Sequence, residues 1–449
     1  MRGTAGRLRA PGTALAAAAL LLGLSLAALV AVTLAHRPGH MLTWYDFDIY
    51  VASGENARHD PSILYSWERA PAVRFVYTPF AALAFAVASF LPLTALHWIM
   101  TAASLAAILS TVWLTLGSMG YRGRRRVAGT LATGAFALWL HPVIWSIHLG
   151  QVEPLLMLLV VWDLTRDDGA RSKGAGVGLA AGVKLVPLIF IPYLALAGRI
   201  RQAVAAAIAF AATVAVGLAV LPGPSRTWWL TGYMFDTSKN GSVISLVNQS
   251  LLGTLVRAAG GRSPGVTAAW LALCAVVAVL GVAGAAMLSR AGRPVHAMVL
   301  CALTGLLVSP ISWDNHWVWV VPLLAMLAGL AMSTTRRARV ASLLAFAAVI
   351  AVFGAWPAHV RGPGAFLPSR AFLGWFARRG AQTFQDVYHL SGLQVLTWNL
   401  YVLAGGAAFA LLGAVAWGQR RQRGQPRQRG QPRRLRQRRQ RRHGSPLAS

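Results

Sequence analysis

Asp46-Phe47-Asp48-Ile49-Tyr50 sets two carboxylates among aromatic side chains, just after the first long apolar stretch of a chain with only 12 Asp and Glu in 449 residues. An acid is costly near a bilayer, so one kept at its edge is expected to do chemistry. The chemistry open to a carboxylate there is abstraction of a proton from an incoming hydroxyl. Asp46-Phe47-Asp48 also matches the Asp-x-Asp pattern with which nucleotide-sugar transferases hold a metal and a diphosphate. That signal is three residues long and falls on the membrane face where nucleotide sugars are not supplied. The plain alternative is a pair of solvated loop acids.

Four further polar islands interrupt apolar sequence. Ser146-Ile147-His148-Leu149-Gly150-Gln151-Val152-Glu153 separates two apolar runs, and its His and Gln suit either a satisfied helix junction or a binding role. Lys184 stands in the middle of an apolar run, which favours a phosphate or carboxylate partner over snorkelling to an interface. The glycines at 174, 176, 178 and 182 lack the Gly-Lys-Ser/Thr ending of a phosphate loop and fit close helix packing better. Asn248-Gln249-Ser250 is followed by Arg257, whose forked donors suit a phosphate clamp as well as an ordinary interfacial position. Ser309-Pro310-Ile311-Ser312-Trp313-Asp314-Asn315-His316-Trp317 joins an aromatic belt to Asp, Asn and His in one short turn. None of these has the spacing of a metal site.

The elements that must position these residues are membrane helices. At 56% hydrophobic and 12% charged residues the chain is an integral membrane protein, and its apolar runs have the length that crosses a bilayer as helix. The expected architecture is an all-α polytopic bundle of about 12 transmembrane helices, beginning with an uncleaved anchor over about Ala14–Leu34 and with a split near Pro92. Basic clusters at Arg2–Arg9, Arg199–Arg201, Arg290–Arg293 and Arg336–Arg339 mark the inner face. The first loop, residues 36–75, then lies outside with five of the twelve acids, as do residues 223–264, the Trp313–Trp317 turn and residues 358–392. Twelve straight crossings would strand Arg122–Arg126 outside; a broken or re-entrant segment near Pro92, compensated by another around Gly182–Pro187, restores the parity.

The net charge of +30 is no nucleic-acid signature, because 12 of the 42 Lys and Arg lie after Trp417 and much of the rest sits in short interhelical clusters. The tail repeats Gln-Arg-Gly-Gln-Pro-Arg from Gln422 and Gln428. It has nothing to bury, reads as disordered, and suits anchoring on anionic lipid. The chain therefore divides into a cytoplasmic N-terminus (1–11), a membrane body (12–417) and a basic cytoplasmic tail (418–449). Cys274 and Cys301 lie inside apolar runs and imply no disulfide framework.

In order and spacing these stretches resemble glycosyltransferase family 87, polytopic GT-C transferases of the bacterial envelope that use polyprenyl-phosphate sugars. The pieces that carry the resemblance are Asp46 through Tyr50, Leu64-Tyr65, Phe75-Val76-Tyr77-Thr78-Pro79, Gly150-Gln151-Val152, Lys184 with Pro187, Asn248-Gln249-Ser250 with Arg257, and Ser309 through Trp313 with His316-Trp317. The resemblance implies a GT-C-type bundle in a bacterial plasma membrane with its active site on the extracytoplasmic face. It implies Asp46 as the catalytic base, with Asp48, Tyr50, Tyr77, Gln151, Lys184, Asn248, Gln249, Arg257 and His316 binding substrate. Where the family commonly shows paired histidines, this chain has Asn315-His316, so only His316 carries over.

The implied reaction is inverting transfer of mannose from polyprenyl-phosphate-mannose to a cell-envelope glycan or glycolipid. It calls for no organic cofactor; a divalent metal is compatible with it but not indicated. A polyprenyl-phosphate-arabinose-dependent arabinofuranosyltransferase is the nearest rival. A lipid-linked sugar flippase is the rival from another class, and it predicts an internal repeat and functional charges at mid-membrane, whereas the polar clusters here collect outside.

Overall fold

A computed structural model describes residues 11–35, 42–70, 73–239, 241–332, 335–354, 396 and 398–424. The last outer loop with Arg361, Arg370, Arg378 and Arg379, most of the N-terminal segment, and the tail expected to meet anionic lipid lie outside the described residues. The described chain is helical throughout, apart from a short antiparallel pair, Glu68–Ala70 with Val73–Arg74.

Five helices are long and apolar enough to cross a bilayer: Gly12–Val32, Leu93–Ser118, Ile200–Val220, Pro264–Arg290 and Leu400–Gly418. His141–Leu149 and Glu153–Thr165 make a sixth only if counted together, and they meet at 118°. The expected split near Pro92 is present, with helix Pro79–Ala88 ending ahead of helix Leu93–Ser118. Ten residues of helix span only about 15 Å, half a hydrocarbon core. Pro79–Ala88 instead packs on Tyr45–His59, where Gly54 allows an approach so close that a Cβ would stand 2.4 Å from the carbonyl carbon of Phe85.

The apolar run around Lys184 is broken there into Ala175–Val183, a 3-10 turn Val186–Ile189 and Phe190–Leu196, where a break around Gly182–Pro187 was expected. Both of its ends meet at one aspartate: Asp168 Oδ1 lies 2.7 Å from Lys173 Nζ and 3.1 Å from Arg199 Nη1. The segment therefore rises to Lys184 and returns. Its glycines do serve packing: a Cβ on Gly178 would stand 2.2 Å from the Ala206 carbonyl oxygen, and one on Gly182 would stand 2.4 Å from Thr213 Oγ1. Asp163, fully buried, caps the first half by accepting from the backbone N–H of Gly174 and Val177.

Candidate active site

Asp46 owes its place to a joint between two distant segments. The backbone N–H groups of Thr43 and Trp44 donate to the His148 carbonyl oxygen at 3.1 and 2.9 Å. Trp44 is held at φ 45°, the one non-glycine residue in the left-handed region among those described. Helix Tyr45–His59 starts immediately after and carries Asp46 in its first turn, where the helix N-terminus favours a negative charge. On the other side of the joint, Gly150 takes φ 68° to end helix His141–Leu149, and the chain turns so that Gln151 and Glu153 face Asp46.

One hydrogen-bonded network follows. Gln151 Nε2 donates to Asp46 Oδ2. Gln151 Oε1 accepts from the Tyr50 hydroxyl at 2.8 Å and from that of Tyr77 at 3.4 Å, and the two hydroxyls are 3.1 Å apart. Tyr77 also reaches Glu153 Oε1 at 3.4 Å. Lys184 Nζ donates to Glu153 Oε1, lies 2.9 Å from His316 Nε2, and sits 5.3 Å from the centre of the Tyr77 ring. His316 Nε2 is 3.3 Å from Glu153 Oε1. Asp46, Tyr50, Tyr77, Gln151, Lys184 and His316 are thus one cluster. Burial, and then the charge of Glu153, push the Asp46 carboxyl up to about 7; Lys184 and the Gln151 hydrogen bond act the other way without cancelling them. A carboxylate titrating near neutrality is suited to general-base work.

Beside this network opens a small groove. Glu153, Lys184, Ser312 and His316 form its polar lining, and Leu156, Val186, Phe190, Leu306 and Trp319 are among its apolar walls. A cation and an imidazole over an apolar trough match a phosphate attached to a hydrocarbon chain.

Asp48 goes elsewhere. Two residues along a helix is a rotation of about 200°, and Asp48 accordingly pairs with His97 Nε2 at 2.7 Å and Arg69 Nη2 at 3.0 Å, while Trp44 stacks on His97. The two carboxylates do not converge, so the Asp-x-Asp arrangement is not formed. Asn248, Gln249 and Arg257 build a separate knot. Arg257 is 2% exposed. Its three guanidinium nitrogens donate to Asn399 Oδ1 and to the carbonyl oxygens of Ile244, Ser245 and Asn248. Asn248 ties Val243 and Pro310 to Ser312, and Gln249 ties Leu246 and Trp398 to Tyr401. A phosphate clamp needs free donors, and Arg257 has spent its own on the protein.

Sequence reasoning gave Glu153 no role of its own within its polar island, and although it noted Asp314 in the Trp313–Trp317 turn it did not foresee the buried pair of His141 Nδ1 and Asp314 Oδ2, 3.6 Å apart. Glu153 stands before Pro154 at a helix start, where an acid reads as a routine N-terminal residue. The usable signal was a carboxylate and a lysine each embedded in apolar sequence, because such charges persist only when paired.

The glycosyltransferase family 87 profile matches residues 75–310, a stretch that begins after Asp46. A polyprenol-phosphate-mannose-dependent alpha-(1-2)-phosphatidylinositol pentamannoside mannosyltransferase of Mycobacterium tuberculosis (strain CDC 1551 / Oshkosh) is 32% identical over 316 residues, covering 69% of this chain and 72% of that protein. Its counterpart in Mycolicibacterium smegmatis is 31% identical, covering 66% and 72%. A polyprenol-phosphate-mannose-dependent alpha-(1-2)-phosphatidylinositol mannoside mannosyltransferase of Mycobacterium tuberculosis (strain ATCC 25618 / H37Rv) is 30% identical, covering 56% and 59%. No solved structure matches. With the family matched over more than half its length, this chain belongs to glycosyltransferase family 87 and is a multi-pass membrane glycosyltransferase.

Proposed function

We infer that this enzyme transfers mannose from polyprenyl-phosphate-mannose to an envelope glycolipid, with inversion and on the extracytoplasmic face. The observation that carries the reading is the joining of Asp46, through Gln151 and the two tyrosines, to Lys184 and His316 at the polar end of an apolar groove. Asp46 removes the proton from the acceptor hydroxyl, and the oxygen attacks the anomeric carbon. The carbon–oxygen bond to phosphate breaks as the new glycosidic bond forms, and prenyl phosphate leaves into the groove. Lys184 and His316 stabilise the charge growing on that phosphate. Asn248, Gln249 and Arg257 hold the wall in place without touching substrate. The mannosyl donors named for the mycobacterial relatives favour mannose over arabinose and transfer over transport.

Helix Leu93–Ser118 supports this side of the membrane. Its His97 end meets Asp48, and about 24 Å further along, at 1.5 Å per residue, Arg126 stacks on Trp113 and donates to the Trp113 carbonyl oxygen. Arg122–Arg126 therefore lies at the opposite end of this helix from the Asp46 helix, and the positive-inside bias assigns the site to the outside. Pro79–Ala88 is too short to cross and 175–196 turns back at Lys184, so the two together leave unchanged the even parity that keeps both termini, and the arginine tail, in the cytoplasm.

The test supplies purified full-length enzyme with labelled polyprenyl-phosphate-mannose or polyprenyl-phosphate-arabinose and phosphatidylinositol mannosides. Label from the mannosyl donor alone should enter the acceptor. Transfer from arabinose only, or from neither donor, contradicts the reading.

A further inference from the structure

We propose that Glu153 is the group that reads the sugar of the donor, accepting hydrogen bonds from hydroxyls of the transferred hexose; this rests on the donor assignment above.

The two oxygens of this carboxylate are treated unequally. Oε1 receives Lys184 and the Tyr77 hydroxyl and lies within 3.3 Å of His316. Oε2 is buried and accepts no hydrogen bond from any described residue. The side chain as a whole is 7% exposed, yet it lines the groove next to Lys184 and His316. A buried acceptor without a donor costs free energy, and a buried carboxylate more than most. Such a group is kept where something else supplies the donor.

Donor binding sharpens the demand. A lipid phosphate drawn to Lys184 and His316 competes for the donors that now satisfy Oε1, so Glu153 stands to lose its partners when the phosphate gains them. What arrives with the phosphate is a ring carrying several hydroxyls, attached to it directly. The terminal torsion of a glutamate is broad, so either oxygen can be turned toward those hydroxyls. Position agrees with this role. Glu153 lies between the Lys184–His316 end of the groove and the Gln151 link to Asp46, where the reacting carbon must sit between the leaving phosphate and the base. Glu153 also raises the Asp46 carboxyl, which places the two carboxylates within electrostatic reach of each other. A site built to hydrogen-bond a particular hydroxyl rejects the analogue that lacks it far more strongly than an apolar pocket does, because its own polar group is then stranded.

The experiment compares polyprenyl-phosphate-mannose with its 2-, 3-, 4- and 6-deoxy sugar analogues, using full-length enzyme and phosphatidylinositol mannosides, for wild type, Glu153→Gln and Glu153→Asp. The wild type should lose about 10,000-fold in kcat/KM with at least one deoxy donor. Glu153→Gln should be slower with the intact donor but should lose no more than about threefold further with that same analogue. A deficit of Glu153→Gln that is equal for all five donors marks a packing role and overturns the proposal. So does a wild type that uses every deoxy donor within about threefold of the intact one, an outcome that needs no variant to fold. Failure of the wild type with intact polyprenyl-phosphate-mannose overturns the donor assignment itself, and this inference with it.

Discussion

Two of the buried polar clusters among the described residues differ in what their hydrogen bonds leave over. Around Arg257 every guanidinium nitrogen, and both ends of the Asn248 and Gln249 amides, find protein partners, mostly backbone carbonyls. Around Lys184 the charges are paired, but one oxygen of Glu153 has no donor among the described residues, and the cluster opens on a groove with apolar walls. The first cluster is satisfied by described protein groups, and in the proposed reading it holds loops together. The second keeps an acceptor and a groove that, in the same reading, the donor completes. What separates the two clusters is surplus hydrogen-bonding capacity, present around Glu153 and spent around Arg257.

That contrast can be broken from either side. Arg257→Met strands three carbonyl oxygens and the Asn399 side chain, and should destabilise the fold by about 3 kcal/mol, since removing one partner of a buried charged network costs that much. Thermal unfolding of the purified protein checks this, and the surviving folded fraction should keep its KM for donor. Lys184→Met also takes a donor from the buried Glu153 carboxylate and should lower the unfolding temperature, but its folded fraction should be distinguished by a kcat/KM about 100-fold down, as for loss of one donor to a developing anion. If the two substitutions exchange these phenotypes, the division between the clusters is wrong.

The acid limb of kcat/KM is a finer probe. With the Asp46 carboxyl raised to about 7, the base form is scarce in mildly acidic solution. The rate should climb about tenfold per pH unit below 7 and level off above it. Because Lys184 pulls this value down, the limb should move to higher pH in Lys184→Met. The smallest effect is expected at Asp48. Its partly exposed pairs with His97 and Arg69 are worth about 1 kcal/mol or less, so Asp48→Asn should change kcat by no more than about fivefold, whereas a metal-bound Asp-x-Asp site would lose nearly all activity.

Much of the site could be read before any fold was known, because charges are rare in this chain and an Asp, a Gln, a Lys and a His in apolar surroundings announce themselves. Lys184 and His316 are 132 residues apart in sequence and 2.9 Å apart in space. The break at Pro92 and the return near Pro187 were also legible, since proline and a mid-run lysine both disrupt a crossing helix. What could not be read was the direction of side chains. Asp46 and Asp48 look like a pair until a helix turns them apart. Arg257 looks like a phosphate clamp until its donors are followed to carbonyls of a loop that no local pattern places beside it. Glu153 was hidden by the opposite error, because Glu-Pro at a helix start has an ordinary local explanation. The count of about twelve crossings is not confirmed for a related reason: hydropathy measures apolar length, and a segment that enters and returns has the same length as one that crosses.

The central claim, that Asp46 is the base, is tested most directly by single-turnover transfer alongside donor binding in Asp46→Asn. The account predicts that the variant binds labelled polyprenyl-phosphate-mannose as tightly as the wild type while transfer to phosphatidylinositol mannosides falls about 1,000-fold. Transfer within about tenfold of the wild type would contradict it.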